Sequence, residues 1–107
     1  MNINDYIVDF NASIYEALVK IEKNKHRSLI VVDSLNRVVG TVSDGDIRKG
    51  LINRILLDAS VSKVMNLNYK KIYEDQEINF DLFLDENNIF IVPIVDGEMK
   101  FVDLKVK

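Results

Sequence analysis

The chain has 107 residues, a formal net charge of −3 and a pI near 5.1; 48% of its residues are hydrophobic and 29% charged. That is the size of one ordinary domain or two very small ones, and it holds too much apolar material for a disordered tail. The acidic balance argues against a nucleic-acid or anionic-membrane surface built on bulk charge, and the lack of cysteine excludes disulfides and thiolate metal sites.

The N-terminus, MNINDYIVDF, has no basic region and no long apolar run. The longest apolar stretches are strand-sized, so a soluble cytoplasmic protein is expected, without membrane or nucleic-acid partners. His26 is the only histidine. Cys/His nucleophilic chemistry and His-rich metal sites are therefore unavailable. His26 sits between charged neighbours and reads as a surface residue.

Taken in chain order, Tyr6 to Phe10 reads as a short strand. Ser13 looks like an N-cap with Glu16 three residues later. Ile14, Ala17, Leu18 and Ile21 follow at helical spacing, and Asn24 and Lys25 suit that helix's end. Leu29 to Val32 is a buried strand rich in β-branched residues. Asp33 to Asn36 is a turn, and Val38 to Val42 a second buried strand. A second helix runs roughly from Gly45 to Asn53, with Asp44 as its cap and Ile47, Leu51 and Ile52 on its apolar side. LLDASVSKVMN then connects, with a short helix after Asp58 or Ser60.

The pattern restarts at this point. MNIN at residues 1 to 4 returns as MNLN at 65 to 68. With that offset Val8 falls on Ile72, Ile14 on Ile78 and Leu18 on Leu82. The apolar run before Asp33 matches IVPIV before Asp96, one residue short, so a slip is expected between helix and strand. The second half ends on a strand at Met99 to Val102, without a closing helix. Repeat 1 is expected at residues 1–57 and repeat 2 at 58–107.

A strand-helix-strand-strand-helix unit repeated in this length resembles the CBS domain pair, or Bateman module. Leu29-Ile30-Val31-Val32-Asp33 looks like that family's apolar strand ending in Val-Asp. GTVSDGD at 40 to 46 is similar to its Gly-x-x-Ser/Thr-x-x-Asp signature. Pro93-Ile94-Val95-Asp96 and Val64-Met65 resemble features of its second repeat. The form SDGDIRKGL is similar to CBS pairs placed beside sugar-phosphate nucleotidyltransferase domains, and to those attached to sugar-phosphate isomerases. The implied fold is α/β, two β-α-β-β-α repeats packed as a pseudo-two-fold pair, the second lacking its final helix.

The resemblance implies a regulatory module that senses an adenosyl ligand such as AMP or ATP, with no catalysis and no cofactor of its own. The chain would be the N-terminal part of a longer sugar-phosphate nucleotidyltransferase, and a homodimer. Asp46 would accept hydrogen bonds from ribose hydroxyls, and Ser43 would donate to phosphate. Asp44 would serve the helix, Arg48 would add positive charge, and adenine would rest on Val8 and Ile30. In the second half Phe101, Leu104 and Lys107 are expected in the places of Gly40, Ser43 and Asp46. On that reading the signature is present once, which points to ligand contact rather than to a fold requirement.

Blander explanations stand beside these. A turn and a cap account for much of Asp44-Gly45-Asp46. Ser43 could hydrogen-bond locally, and Arg48 and Lys49 could be a solvated face. The aromatic residues at 10, 15, 80, 83 and 90 read as core or dimer contacts. Two other functions compete. One is a structural dimerisation module with a degenerate nucleotide site. The other is a small enzyme holding a metal at Asp44 and Asp46, for which the chain offers no further ligand cluster.

Overall fold

The computed structural model describes residues 2–107; Met1, the first residue of the MNIN segment, lies outside them. Asn2 caps a 3-10 turn over Ile3–Tyr6, its side chain accepting from the Asn4 N–H, so β1 is shorter than expected and spans Ile7–Asp9. Ser13 caps α1 (Ile14–Asn24), its Oγ accepting from the Glu16 N–H at 3.1 Å. Ile14, Ala17 and Ile21 form the buried side of α1, the spacing that puts one stripe on the core. Lys25, at φ 62°, ends the helix and returns its N–H to the Ile21 carbonyl.

β2 (Ser28–Val32) and β3 (Val38–Ser43) follow as a hairpin and lead into α2 (Asp44–Ile52). The buried side of α2 is Ile47 and Gly50. Leu51 and Ile52 were expected to share it, but both are exposed. The seat is narrow because Val64 closes on the helix at Gly50, where even a methyl group would collide with Val64 Cγ1.

A 3-10 turn over Val61–Lys63, capped by Ser60, opens the connection to the second half. Val61 lies in the same core cluster as α1 and α2. Residues 59–66 thus pack on the first repeat, although their sequence position groups them with the second. Then come β4 (Ile72–Tyr73), α3 (Phe80–Glu86), β5 (Ile91–Val95) and β6 (Phe101–Val106). β6 starts and ends later than expected. Met99 sits in the turn before it at φ 68°.

Each half makes a three-stranded sheet of one design. β1 runs parallel to β2, which is antiparallel to β3; β4, β5 and β6 repeat this order and sense. Both hairpins shift register at the same place, Val31/Val32 and Ile94/Val95. The two hairpin turns also bond to each other reciprocally. The Val38 N–H donates to the Met99 carbonyl at 2.8 Å, and the Phe101 N–H to the Asn36 carbonyl at 3.0 Å. Such an exchange is what a two-fold relation produces. The fold is a tandem pair of β-α-β-β units, and α2 closes the first only.

The registers correct the expected alignment of the halves. Val31 pairs with Gly40 and Ile94 with Asp103. Ser28 pairs with Ser43 and Ile91 with Val106. Asp103 and Val106 therefore stand in the places of Gly40 and Ser43, and Phe101 answers Val38. The Asp44 N–H donates to the Arg27 carbonyl as the Lys107 N–H does to the Phe90 carbonyl, so Lys107 matches Asp44, not Asp46. The one-residue slip also lies earlier than expected. Lys25 and Asn88, the left-handed residues after α1 and α3, already differ by 63, so the slip precedes the helix ends. Consistently, Leu82, matched above to Leu18, is exposed.

Three buried clusters organise the interior. One lies between the first sheet and its two helices, with Val8, Ile14, Leu29, Val42 and Ile47. One lies between the two sheets, with Tyr6, Ile30, Val38, Val95 and Leu104. A smaller one, with Ile72, Leu84 and Val92, lies under α3. On the outer face of β6, Asp103 and Lys105 replace the buried Gly40 and Val42, and Lys105 Nζ lies 4.9 Å from the Phe80 ring centre. The second sheet is thus finished with charge where the first is finished with a helix.

The β2–β3 turn is held by Asp33. Its carboxylate accepts from the Arg37 and Leu35 N–H groups and, at 2.8 Å, from Arg37 Nε. The backbone bond from Arg37, ahead of the opposing desolvation and the Arg37 side chain, holds its pKa below the ordinary value. A lowered carboxylate pKa adds stability above the unfolded value, about 3.9, and that stability is lost as pH falls through the folded pKa. Asp33→Asn is therefore expected to lower the urea midpoint at pH 6, with the gap to wild type closing below pH 4. A gap that persists unchanged at pH 3 would contradict this.

Candidate functional site

A cleft of about 440 Å³ opens where the two repeats meet. From the first repeat it takes Arg27, Ser28, Thr41 and the start of α2, Ser43 to Asp46. The connecting strand adds Asn66, Asn68, Tyr69 and Lys70, and the α3–β5 turn adds Asn87 to Ile91. Two cations, Arg27 and Lys70, thus face two carboxylates, Asp44 and Asp46, with Tyr69, Ile89, Phe90 and Ile91 as the apolar part.

The backbone explains why these groups converge. After the Val61–Lys63 turn the chain lies along β3, and Thr41 and Asn66 exchange both backbone hydrogen bonds, at 2.7 and 3.2 Å. Gly40 leaves room for that approach. A Cβ there would stand 3.0 Å from the Asn66 carbonyl oxygen and 3.1 Å from Met65 Sδ. Gly40 thus admits the strand that brings Asn66, Asn68 and Tyr69 to the cleft. Tyr69 is anchored by donating to the Val38 carbonyl at 3.0 Å. Burial, helped by Tyr73, raises its pKa and keeps the hydroxyl a donor.

The start of α2 is a capping box. Ser43 Oγ accepts from the Asp46 N–H at 3.0 Å, and Asp46 Oδ2 accepts from the Ser43 N–H at 2.9 Å. The N-cap is Ser43, and Asp44, expected to be the cap, is the first helical residue. The motif Ser-x-x-Asp satisfies both donors, which an Asp44 cap would not. Asp46 Oδ1 makes no hydrogen bond among the described residues and remains able to accept from a ligand.

Of the other expected site residues, Arg48 is exposed and does not line the cleft. Its Nη2 lies 3.6 Å from where a Gly45 Cβ would stand, so its guanidinium lies over the first turn of α2, beside the cleft. Val8 and Ile30 lie elsewhere. Val8 belongs to the core between sheet and helices, and Ile30, fully buried, to the core between the sheets. Neither lines the cleft. β2 buries both faces, so sequence alone could not tell whether Ile30 was core or cleft.

Sequence reasoning missed Arg27, Tyr69, Lys70 and Phe90. They lie in loops without periodicity; strand pairing inside the first repeat brings Arg27 to the start of α2, and the packing of the two halves brings the others. Phe90 carried one signal: a large aromatic ring beside Asn87-Asn88 in a turn. It is 46% exposed, which a core role would not leave. Among the described residues no three His, Asp or Glu groups converge to hold a metal ion, and no helix is long and apolar enough to cross a membrane.

A model of the CBS domain family matches residues 1–53. A 17.7 kDa protein of Acidianus ambivalens is 38% identical over 96 residues, 89% of this chain and 58% of that protein. A Helicobacter pylori protein is 27% identical over 92 residues, 84% of this chain and 28% of its own. The chain thus spans between 28% and 58% of these relatives. A CBS domain pair in complex with 5′-methylthioadenosine and S-adenosyl-L-methionine superposes at a TM-score of 0.73 with 26% identity, over 94% of this chain and 79% of that one. A Pyrobaculum aerophilum CBS domain protein complexed with AMP gives 0.75 at 19% identity, over 94% and 78%. With the family matched over its first repeat and the same strand order and sense in its second, the chain has the fold of a CBS domain pair.

Proposed function

We propose that the chain is a regulatory module that binds an adenosyl ligand in the cleft between its repeats. The observation that carries this reading is the cleft's composition from both halves: Ser43 and Asp46 from one, Asn87 to Phe90 from the other. A ligand held by both favours one arrangement of the repeats, and a population shift toward it is a signal an attached domain can receive. Asp46 Oδ1 takes a ribose hydroxyl. Arg27, with Ser43 and the N–H end of α2, faces phosphate. Phe90 and Tyr69 offer ring faces to adenine, in place of Val8 and Ile30. The attached domain is a sugar-phosphate nucleotidyltransferase on this reading, and the module acts in the cytoplasm as a homodimer.

One observation favours a second reading, a structural module with a degenerate site. Ser43 and Asp46 are both used by the capping box, so the fold explains their presence without a ligand. Calorimetry with AMP, ATP and S-adenosylmethionine separates the two. Saturable heat with any of them supports sensing; none at millimolar ligand leaves the structural module.

A further inference from the structure

β3 and β6 are corresponding outer strands of the two sheets, and their free edges are treated differently. On β3, Thr41 exchanges both backbone hydrogen bonds with Asn66. Thr41 pairs with Ile30 as Leu104 pairs with Pro93, so Leu104 of β6 stands in the place of Thr41. Asn2 answers Asn66, since each accepts through Oδ1 from the N–H two residues on. Yet the Leu104 N–H does not go to the Asn2 carbonyl. It donates to Asp103 Oδ1 at 2.8 Å, and the Asn2 carbonyl accepts from the Asp5 N–H instead.

The alternation of an antiparallel pair fixes which groups of β6 point outward. The Lys107 N–H bonds the Phe90 carbonyl, so Lys105 and Asp103 also bond toward β5. Leu104 and Val106 then turn N–H and C=O to the open edge. Among the described residues nothing outside the β5–β6 hairpin bonds the Leu104 carbonyl or the Val106 N–H. Val102, on the same strand, is exposed. The outer face carries Asp103 and Lys105, whose charged groups lie 3.9 Å apart and open to solvent. A bare strand edge is a template for another strand, and charged side chains commonly guard it. Here the guard carries both signs. The segment Val102-Asp103-Leu104-Lys105-Val106 is complementary to itself when reversed.

We propose that the β6 edge pairs antiparallel with the same edge of a second copy, about a two-fold axis at Leu104. Leu104 exchanges both backbone bonds with the second copy's Leu104, displacing Asp103 Oδ1. Asp103 faces the second copy's Lys105, twice over, at positions where cross-strand side chains come closest. Val102 faces the second copy's Val106. A two-fold axis at Lys105 would set like charges opposite one another, so charge selects the register. The two three-stranded sheets become one of six strands. The proposal rests on the homodimer of the proposed function and names its interface, which uses no residue that lines the cleft.

The test is analytical ultracentrifugation of the full chain across the micromolar range, for wild type, Asp103→Lys and Lys105→Glu, singly and mixed. Wild type is expected to dimerise. Each reversal sets like charges opposite at both contacts and should weaken dimerisation at least about tenfold. An equimolar mixture of the two variants should dimerise about as well as wild type, because every contact across the mixed pair then joins opposite charges. A variant that only folded poorly would gain nothing from mixing, and urea midpoints of the single variants check the same point. A dimer that neither reversal weakens, or that mixing does not restore, overturns the edge pairing and keeps a homodimer through another face. A monomeric wild type removes both the pairing and the homodimer, while calorimetry with adenosyl ligands still decides sensing.

Discussion

Asp46→Ala is expected to reduce affinity for an adenosyl ligand by roughly 10- to 150-fold, the loss of a hydrogen bond to a charged acceptor worth about 1.5–3 kcal/mol. It is also expected to lower stability by about 0.5–2 kcal/mol, because Asp46 Oδ2 closes the capping box on the Ser43 N–H. The two effects come from different oxygens and can be separated. Ser43→Ala removes the other half of the box, the bond from the Asp46 N–H, so it should lose similar stability. Its ligand loss should be smaller and greater for phosphate-bearing ligands than for adenosine. Calorimetry beside urea denaturation reads both quantities. Asp46→Ala with a lowered urea midpoint and unchanged affinity would leave Asp46 a helix cap alone.

The second large effect is on the fold. Ile30→Ala should destabilise the protein by about 2–5 kcal/mol, the range for truncating a fully buried branched side chain. Ile30 has no exposure and sits between the sheets with Val38, Val95 and Leu104. The variant therefore loosens the contact between repeats. Under conditions where it remains folded, its intrinsic pocket chemistry is intact, since Ile30 does not line the cleft. A shift of only a few tenths of a kcal/mol in urea denaturation, with a large loss of ligand affinity, would return Ile30 to the adenine pocket.

The single occurrence of Ser-x-x-Asp illustrates how far the sequence could be pressed. Its absence from the second half argued for ligand contact, on the ground that a fold requirement should recur. The premise fails because the halves differ in what they must build. α2 closes only the first sheet, so its capping box is required only there. The asymmetry therefore fits a helix start as well as a ligand site, and the case for Asp46 moves to its free oxygen and its place in the cleft. Gly40 is similar. It reads as part of a signature, and the structure gives it a steric task, the admission of Asn66.

By itself the sequence determined the order of elements, the repeat, and most caps and strand cores. Those follow from local chemistry: Ser13 before a helical stripe, Asp33 in a turn, β-branched runs long enough for a buried strand. Tertiary structure alone decided which buried residues face solvent-accessible space. Ile30 looks no different from a cleft residue in the sequence, because β2, buried on both faces, carries no periodic mark of which face is which. It alone decided the register of β6 as well, since a shift of two residues preserves the alternation of faces. And it alone assembled Arg27, Lys70 and Phe90 around Asp46: the β2–β3 pairing brings Arg27 to the start of α2, and the packing of the two repeats brings Lys70 and Phe90.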